Sequence, residues 1–112
     1  MSRSEKVYLQ DILESVEIIL LYVKNKIAID FMLDRMLQDA VIRRFEVIGE
    51  AASKIPQSIK KKHPEIQWKL MKEMRNKLIH EYFGISPQTV YLTIIHDLPI
   101  LKEQLKQILS EI

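Results

Sequence analysis

The sequence has no cysteine, only two glycines and four prolines, and no apolar run long enough to cross a bilayer. Without cysteine there are no disulfides, thiolate metal sites or cysteine nucleophiles, as suits a reducing compartment. Metal ligation would fall to His63, His80, His96 and carboxylates, which lack ligand spacing, so neither a metal nor another cofactor is expected. The longest strongly apolar stretch, residues 18–23, falls far short of the ~20 residues a spanning helix needs. The N-terminus carries charge where a signal peptide would be apolar, so a cytoplasmic protein is expected. With so few turn residues, and with Leu, Ile, Lys, Glu and Gln abundant, the composition favours helices joined by short connections over hairpins. A chain of 112 residues fits one domain, 1–112, able to bury a core without covalent or metal staples.

The net charge of +2 is too small to announce a nucleic-acid partner, but it is unevenly placed. Residues 60–80 carry seven Lys or Arg (Lys60, Lys61, Lys62, Lys69, Lys72, Arg75, Lys77) against Glu65 and Glu73. Such a run is either a solvated face or a phosphate-facing one, and the spacing alone does not decide between them.

Apolar periodicity sets out the helices. Ser4 is a candidate N-cap for a first long helix whose stripe runs Tyr8, Ile12, Val16, Ile19, Val23. Leu9, Leu13 and Leu20 widen that stripe, while Ile18, Leu21 and Tyr22 fall outside it, which suggests a second contact surface such as a dimer interface. After Lys24-Asn25-Lys26 comes a short segment, 29–37, and then a second long helix over about 38–54 with Val41, Phe45, Ile48 and Ala52 inward. Arg43, Glu46 and Glu50 line another face of it, either as an exposed ion-pair line or as support beside a site.

Pro56 suits the first turn of a short helix that ends at His63-Pro64, where His63 reads as a turn residue. A third main helix over about 67–80 carries Met71, Met74 and Leu78 inward, and Gly84 is suited to ending it. Ser86-Pro87 reads as N-cap and first helical residue, Pro99 predicts a kink or restart near Asp97, and Leu98, Leu101, Leu105, Ile108 and Ile112 form the last stripe. Trp68, Tyr91 and His96 are assigned to packing. The expected fold is all-α: an up-down bundle of four main helices with one or two short ones.

Chemistry concentrates in Met74-Arg75-Asn76-Lys77-Leu78-Ile79-His80-Glu81-Tyr82-Phe83-Gly84, which brings a permanent cation, an imidazole and a phenol into one short segment. Arginine can hold a phosphate through paired N–H donors and offset charge building in a transition state, and histidine exchanges a proton near neutral pH. On a regular helix Arg75 and His80 stand about 140° apart. A working site therefore needs either unwinding of the helix end or residues from two copies across a two-fold axis, and the second is preferred.

Arg75-x4-His80-x-Tyr82 resembles the Arg-x4-His-x-Tyr signature of HepT-like proteins of the HEPN superfamily. The blocks around it are similar in order: Gln38-Asp39-Ala40-Val41-Ile42-Arg43, Ile48-Gly49-Glu50-Ala51, Pro64-Glu65-Ile66-x-Trp68, Met74 to Ile85, and Asp97-Leu98-Pro99. This resemblance implies a HEPN-type homodimer, a metal-independent ribonuclease toxin acting on RNA, and a cognate MntA-type nucleotidyltransferase antitoxin that neutralises it by transferring AMP to Tyr82. It implies Arg75 and His80 as the catalytic pair, with Asn76, Tyr82, Arg43 and Glu46 in support and Lys69, Lys72 and Lys77 drawing in the RNA backbone. Two other readings use the same residues: a non-catalytic dimeric module that docks the nucleotidyltransferase and serves as its substrate, or a structural helical dimer in which Arg75 and His80 merely cap and pair.

Overall fold

The computed structural model describes residues 1–80 and 86–111, with the backbone alone for Ile79 and His80. It contains six helices: α1 (Arg3–Tyr22), α2 (Ala28–Leu33), α3 (Arg35–Ser53), α4 (Gln57–Lys62), α5 (Trp68–His80) and α6 (Pro87–Ser110), with no strand among the described residues. The all-α bundle of four main and two short helices is thus observed.

The helix starts show where local hydrogen bonding overrides the apolar stripe as a boundary signal. Helix α1 starts from Ser2 and not Ser4, because Ser2 and Glu5 bond reciprocally: the Ser2 amide donates to the Glu5 carboxylate at 2.9 Å and the Glu5 amide to Ser2 Oγ at 3.2 Å. Asn25 takes the left-handed conformation that ends this arm (φ 61°), one that asparagine tolerates better than most side chains. Helix α3 begins at Arg35, three residues before the expected start, because the Asp34 carboxylate accepts the Leu37 amide at 3.0 Å. The Gln38 side chain donates to the carbonyls of Phe31 and Met32 at 2.9 and 3.1 Å, satisfying the end of α2. Pro56 is the N-cap of α4 rather than a first-turn residue, and Ser86 caps α6 as expected, its Oγ accepting the Thr89 amide at 3.1 Å.

The restart expected near Pro99 is absent: α6 continues through it as one helix. Proline removes one i→i−4 bond, but Val90, Ile94, Leu98, Leu101, Leu105 and Ile108 are all buried in one continuous stripe, so packing on both sides holds the helix together. The Gly84 expectation and Ile112 lie outside the described residues. Trp68 is buried with its indole N–H on the His63 carbonyl, and Tyr91 is half-buried with its hydroxyl on the Lys26 carbonyl, whereas His96 is exposed and not a packing residue.

Helix α3 packs on α1 and on α5, α6 packs on α1, and α2 bridges α3 and α6. Contacts at the two ends give the helix directions. At one end Lys54 lies over the Tyr8 ring, and Gln104 donates to the Glu65 carbonyl. At the other, Tyr91 meets Phe31 and bonds Lys26. Helices α1 and α3 therefore run opposite ways, as do α5 and α6, and α5 finishes at the end where α2 lies. Between α3, α5 and α6 a cavity of about 120 Å³ is lined by Phe45, Ile48, Met71, Met74, Leu98 and Leu101, so α5 rests mainly on α3. Among the described residues no helix is long and apolar enough to span a membrane.

Candidate active site

Met71, Met74 and Leu78 are buried and occupy an arc of about 60° on α5, the part that faces the core. Arg75 follows at the edge of that arc, about 40° beyond Met71, so its side chain leaves the helix along the flank of α3 instead of into solvent. Gly49 of α3 makes the approach possible: a Cβ there would collide with the Arg75 Cβ and lie 2.8 Å from both its Cγ and Cδ. The Arg75 side chain is 17% exposed.

The guanidinium is held from two sides. Nε and Nη2 donate to Asn76 Oδ1 at 3.1 and 2.9 Å, and Nη1 donates to Glu50 Oε1 at 3.0 Å. Of the five N–H donors of an arginine, these bonds use three and leave one on each Nη without a partner among the described residues. Asn76, expected in a supporting role, gives its carbonyl oxygen to two donors of its neighbour. A guanidinium ordered in this way, with two N–H donors in hand, can take two oxygens of one phosphate.

The remaining expected residues distribute around this centre. Lys69 and Lys72 are exposed on the part of α5 that also carries the His80 backbone, within about 80° of one another, and Lys69 pairs with Glu73 at 3.7 Å. Lys77 is exposed further round, about 60° beyond His80. Arg43 and Glu46 pair with each other at 3.4 Å and do not join Arg75. They sit about 10 and 6 Å along α3 from Glu50, toward the end where α5 finishes. Tyr82 lies outside the described residues.

Sequence reasoning placed Glu50 in line with Arg43 and Glu46 but did not join it to Arg75. The signal was its place one turn beyond Glu46 and directly after a glycine on a helix. Among the described residues no group of three or more His, Asp or Glu side chains converges as for a metal ion.

An all-α bundle in which Arg75 is clamped on a helix that reaches His80, five positions on, is consistent with a protein of the HEPN type. Residues 12–108 match the family described as "Ribonuclease HepT-like". The chain is 44% identical over 108 residues to the "Probable ribonuclease HepT" of Thermococcus cleftensis, covering 96% of this chain and 98% of that protein. It is 43% identical over 112 residues to the "Gamma-glutamylcyclotransferase and putative RNase" of Methanocaldococcus jannaschii, covering all of this chain and 50% of that longer protein. No solved structure matches the chain. The chain belongs to the HepT-like ribonuclease family of the HEPN superfamily.

Proposed function

We propose that the protein is a metal-independent endoribonuclease toxin of the cytoplasm, active as a homodimer and neutralised by AMP attached to Tyr82 by a nucleotidyltransferase antitoxin. The observation that carries the reading is the clamped Arg75, with two N–H donors left over, on a helix that runs unbroken to His80.

A phosphodiester would accept those two donors while His80 takes the proton of the adjacent ribose 2′-hydroxyl. The 2′-oxygen attacks phosphorus, the bond to the 5′-oxygen breaks, and that oxygen leaves with the proton that the His80 imidazolium returns, so a 2′,3′-cyclic phosphate and a 5′-hydroxyl result. Arg75 offsets the charge gathered on the phosphorane oxygens. Because the helix does not unwind before His80, Arg75 and His80 diverge by about 140°, which favours a site built from Arg75 of one copy and His80 of another. The end of the bundle where α5 finishes carries exposed Ile27, Ile29, Met32, Leu33 and Met36, an apolar surface suited to a second copy. Lys69, Lys72 and Lys77 would draw in the RNA backbone, and Arg43 and Glu46 would border the site.

In the control step the Tyr82 phenol oxygen attacks the α-phosphorus of ATP on the partner enzyme, and pyrophosphate leaves. The attached AMP would add a negative phosphodiester seven residues after Arg75 in the chain and compete for the donors an RNA phosphate needs.

RNA cleavage by wild type in the presence of EDTA, lost in Arg75→Ala and in His80→Ala, is the expected result. A purified, unmodified protein that cleaves no RNA but still binds the nucleotidyltransferase would instead establish the non-catalytic module. Intact mass after incubation with the nucleotidyltransferase and ATP should rise by whole AMP units in wild type and stay constant in Tyr82→Phe.

A further inference from the structure

Glu50 is the one acid joined to the Arg75 guanidinium among the described residues, and it reaches it from a different helix. Its carboxylate is 59% exposed and bonds Nη1 at 3.0 Å, while Arg75 is largely enclosed. Asn76 alone would fix only the Nε and Nη2 edge; being on the same helix as Arg75, it cannot tie the guanidinium to the rest of the bundle. Glu50 supplies that tie, and Gly49 beside it lets α5 come near enough for the bond to form.

We infer that Glu50 is a positioning residue for the RNA-phosphate site, holding Arg75 in the orientation that phosphate needs while competing with phosphate for the same cation. The inference rests on the ribonuclease reading of Arg75. Its two parts act in opposite senses. The bond to Nη1 removes the swing of the guanidinium about its terminal torsions, so its two remaining donors stay aimed as the phosphorane forms; misplacement by about 1 Å can cost on the order of 10²-fold in rate. The negative charge, however, neutralises Arg75 in the resting protein and repels an incoming phosphate at close range. Orientation acts on kcat and charge acts on KM, so substitutions that separate the two separate the kinetic constants.

Glu50→Ala removes both effects. The expected result is a fall in kcat of roughly 10- to 100-fold. Glu50→Gln keeps an oxygen that accepts from Nη1 and discards the charge; it should recover most of the kcat lost in Glu50→Ala and lower KM several-fold below wild type. That KM advantage should shrink as salt rises, because it is electrostatic. A purely structural Glu50 would instead shift the melting temperature of both variants and leave no split between kcat and KM.

The test is steady-state cleavage of a fluorescent single-stranded RNA by wild type, Glu50→Ala and Glu50→Gln at low and high salt. The proposal is overturned by wild-type kcat in Glu50→Ala, or by indistinguishable constants in the two variants. If wild type cleaves no RNA, the function proposed above fails, and the Arg75 guanidinium ¹⁵N–¹H resonances decide the positioning alone. Separate, slowly exchanging Nη signals in wild type that collapse in Glu50→Ala uphold it, and signals already averaged in wild type overturn it. Glu50 is surface-exposed, and the folding of each variant is checked by its helical circular dichroism.

Discussion

At Gly49 the side chain of any other residue would have to occupy the space filled by the first three carbons of Arg75. The Arg75 Cβ is fixed to its backbone and cannot step aside, so even a methyl forces α3 and α5 apart. Gly49→Ala is therefore expected to destabilise the protein by about 1–3 kcal/mol, the usual cost of overpacking, despite the better helix propensity of alanine. It should also weaken the Glu50–Arg75 bond and lower ribonuclease activity; urea unfolding and RNA cleavage of the one variant measure both. The Arg-x4-His-x-Tyr spacing was legible in the sequence because it lies within one segment. The Arg75 clamp was not, because Glu50 stands 25 residues before its partner and no periodicity links the two. Asn76 was named in support, but its bond to Arg75 was not legible for another reason: side chains at i and i+1 leave a helix in different directions, and only the length of arginine lets its guanidinium fold back to its neighbour.

Among the elements, the long helices were legible wherever apolar residues repeat at helical spacing, and their ends where a side chain caps them in an expected pattern, as at Ser86-Pro87. The start of α3 was misread because the Asp34 cap precedes the first strongly periodic residue, and Met36 next to it is exposed and looks like loop. The restart expected near Pro99 was misread for a different cause: a local breaking signal was weighed without the tertiary packing that opposes it. Pro99 is exposed, so its ring contributes little to the core, and the carbonyl it leaves unpaired is that of Ile95. Pro99→Ala restores that hydrogen bond and should stabilise α6 by about 1–3 kcal/mol, less than the full helix-interior penalty where the helix has already adjusted. A rise in the melting temperature, with ribonuclease activity retained, is the expected outcome. A lower melting temperature would mean that the proline stiffens the unfolded chain by more than it costs the helix.

For the whole molecule, the up-down directions of the helices bring the end of α5, the start of α6 and the short α2 to one pole. Leu33 and Met36 are 79% and 84% exposed there, an unusual amount of apolar surface to leave in water. Composition and stripe width suggested a second contact surface on α1, and Leu21 and Tyr22 are indeed exposed at the end of that helix, but the greater apolar exposure belongs to the α2 region that follows. If a second copy covers this pole, the two α5 ends come together and each His80 is offered to the other copy's Arg75. This arrangement makes a prediction that a site contained in one chain does not. Arg75→Ala and His80→Ala, each inactive alone, should recover activity when mixed under conditions that allow subunits to exchange. Random pairing gives half mixed dimers, each with one intact site out of two, so about a quarter of wild-type activity is expected. Met36→Glu introduced into both chains should hold them as monomers in sedimentation and abolish the recovery while the helical circular dichroism persists. No recovery from mixed chains that demonstrably exchange would place Arg75 and His80 of the same chain in one site, and would require the end of α5 to rearrange when RNA binds.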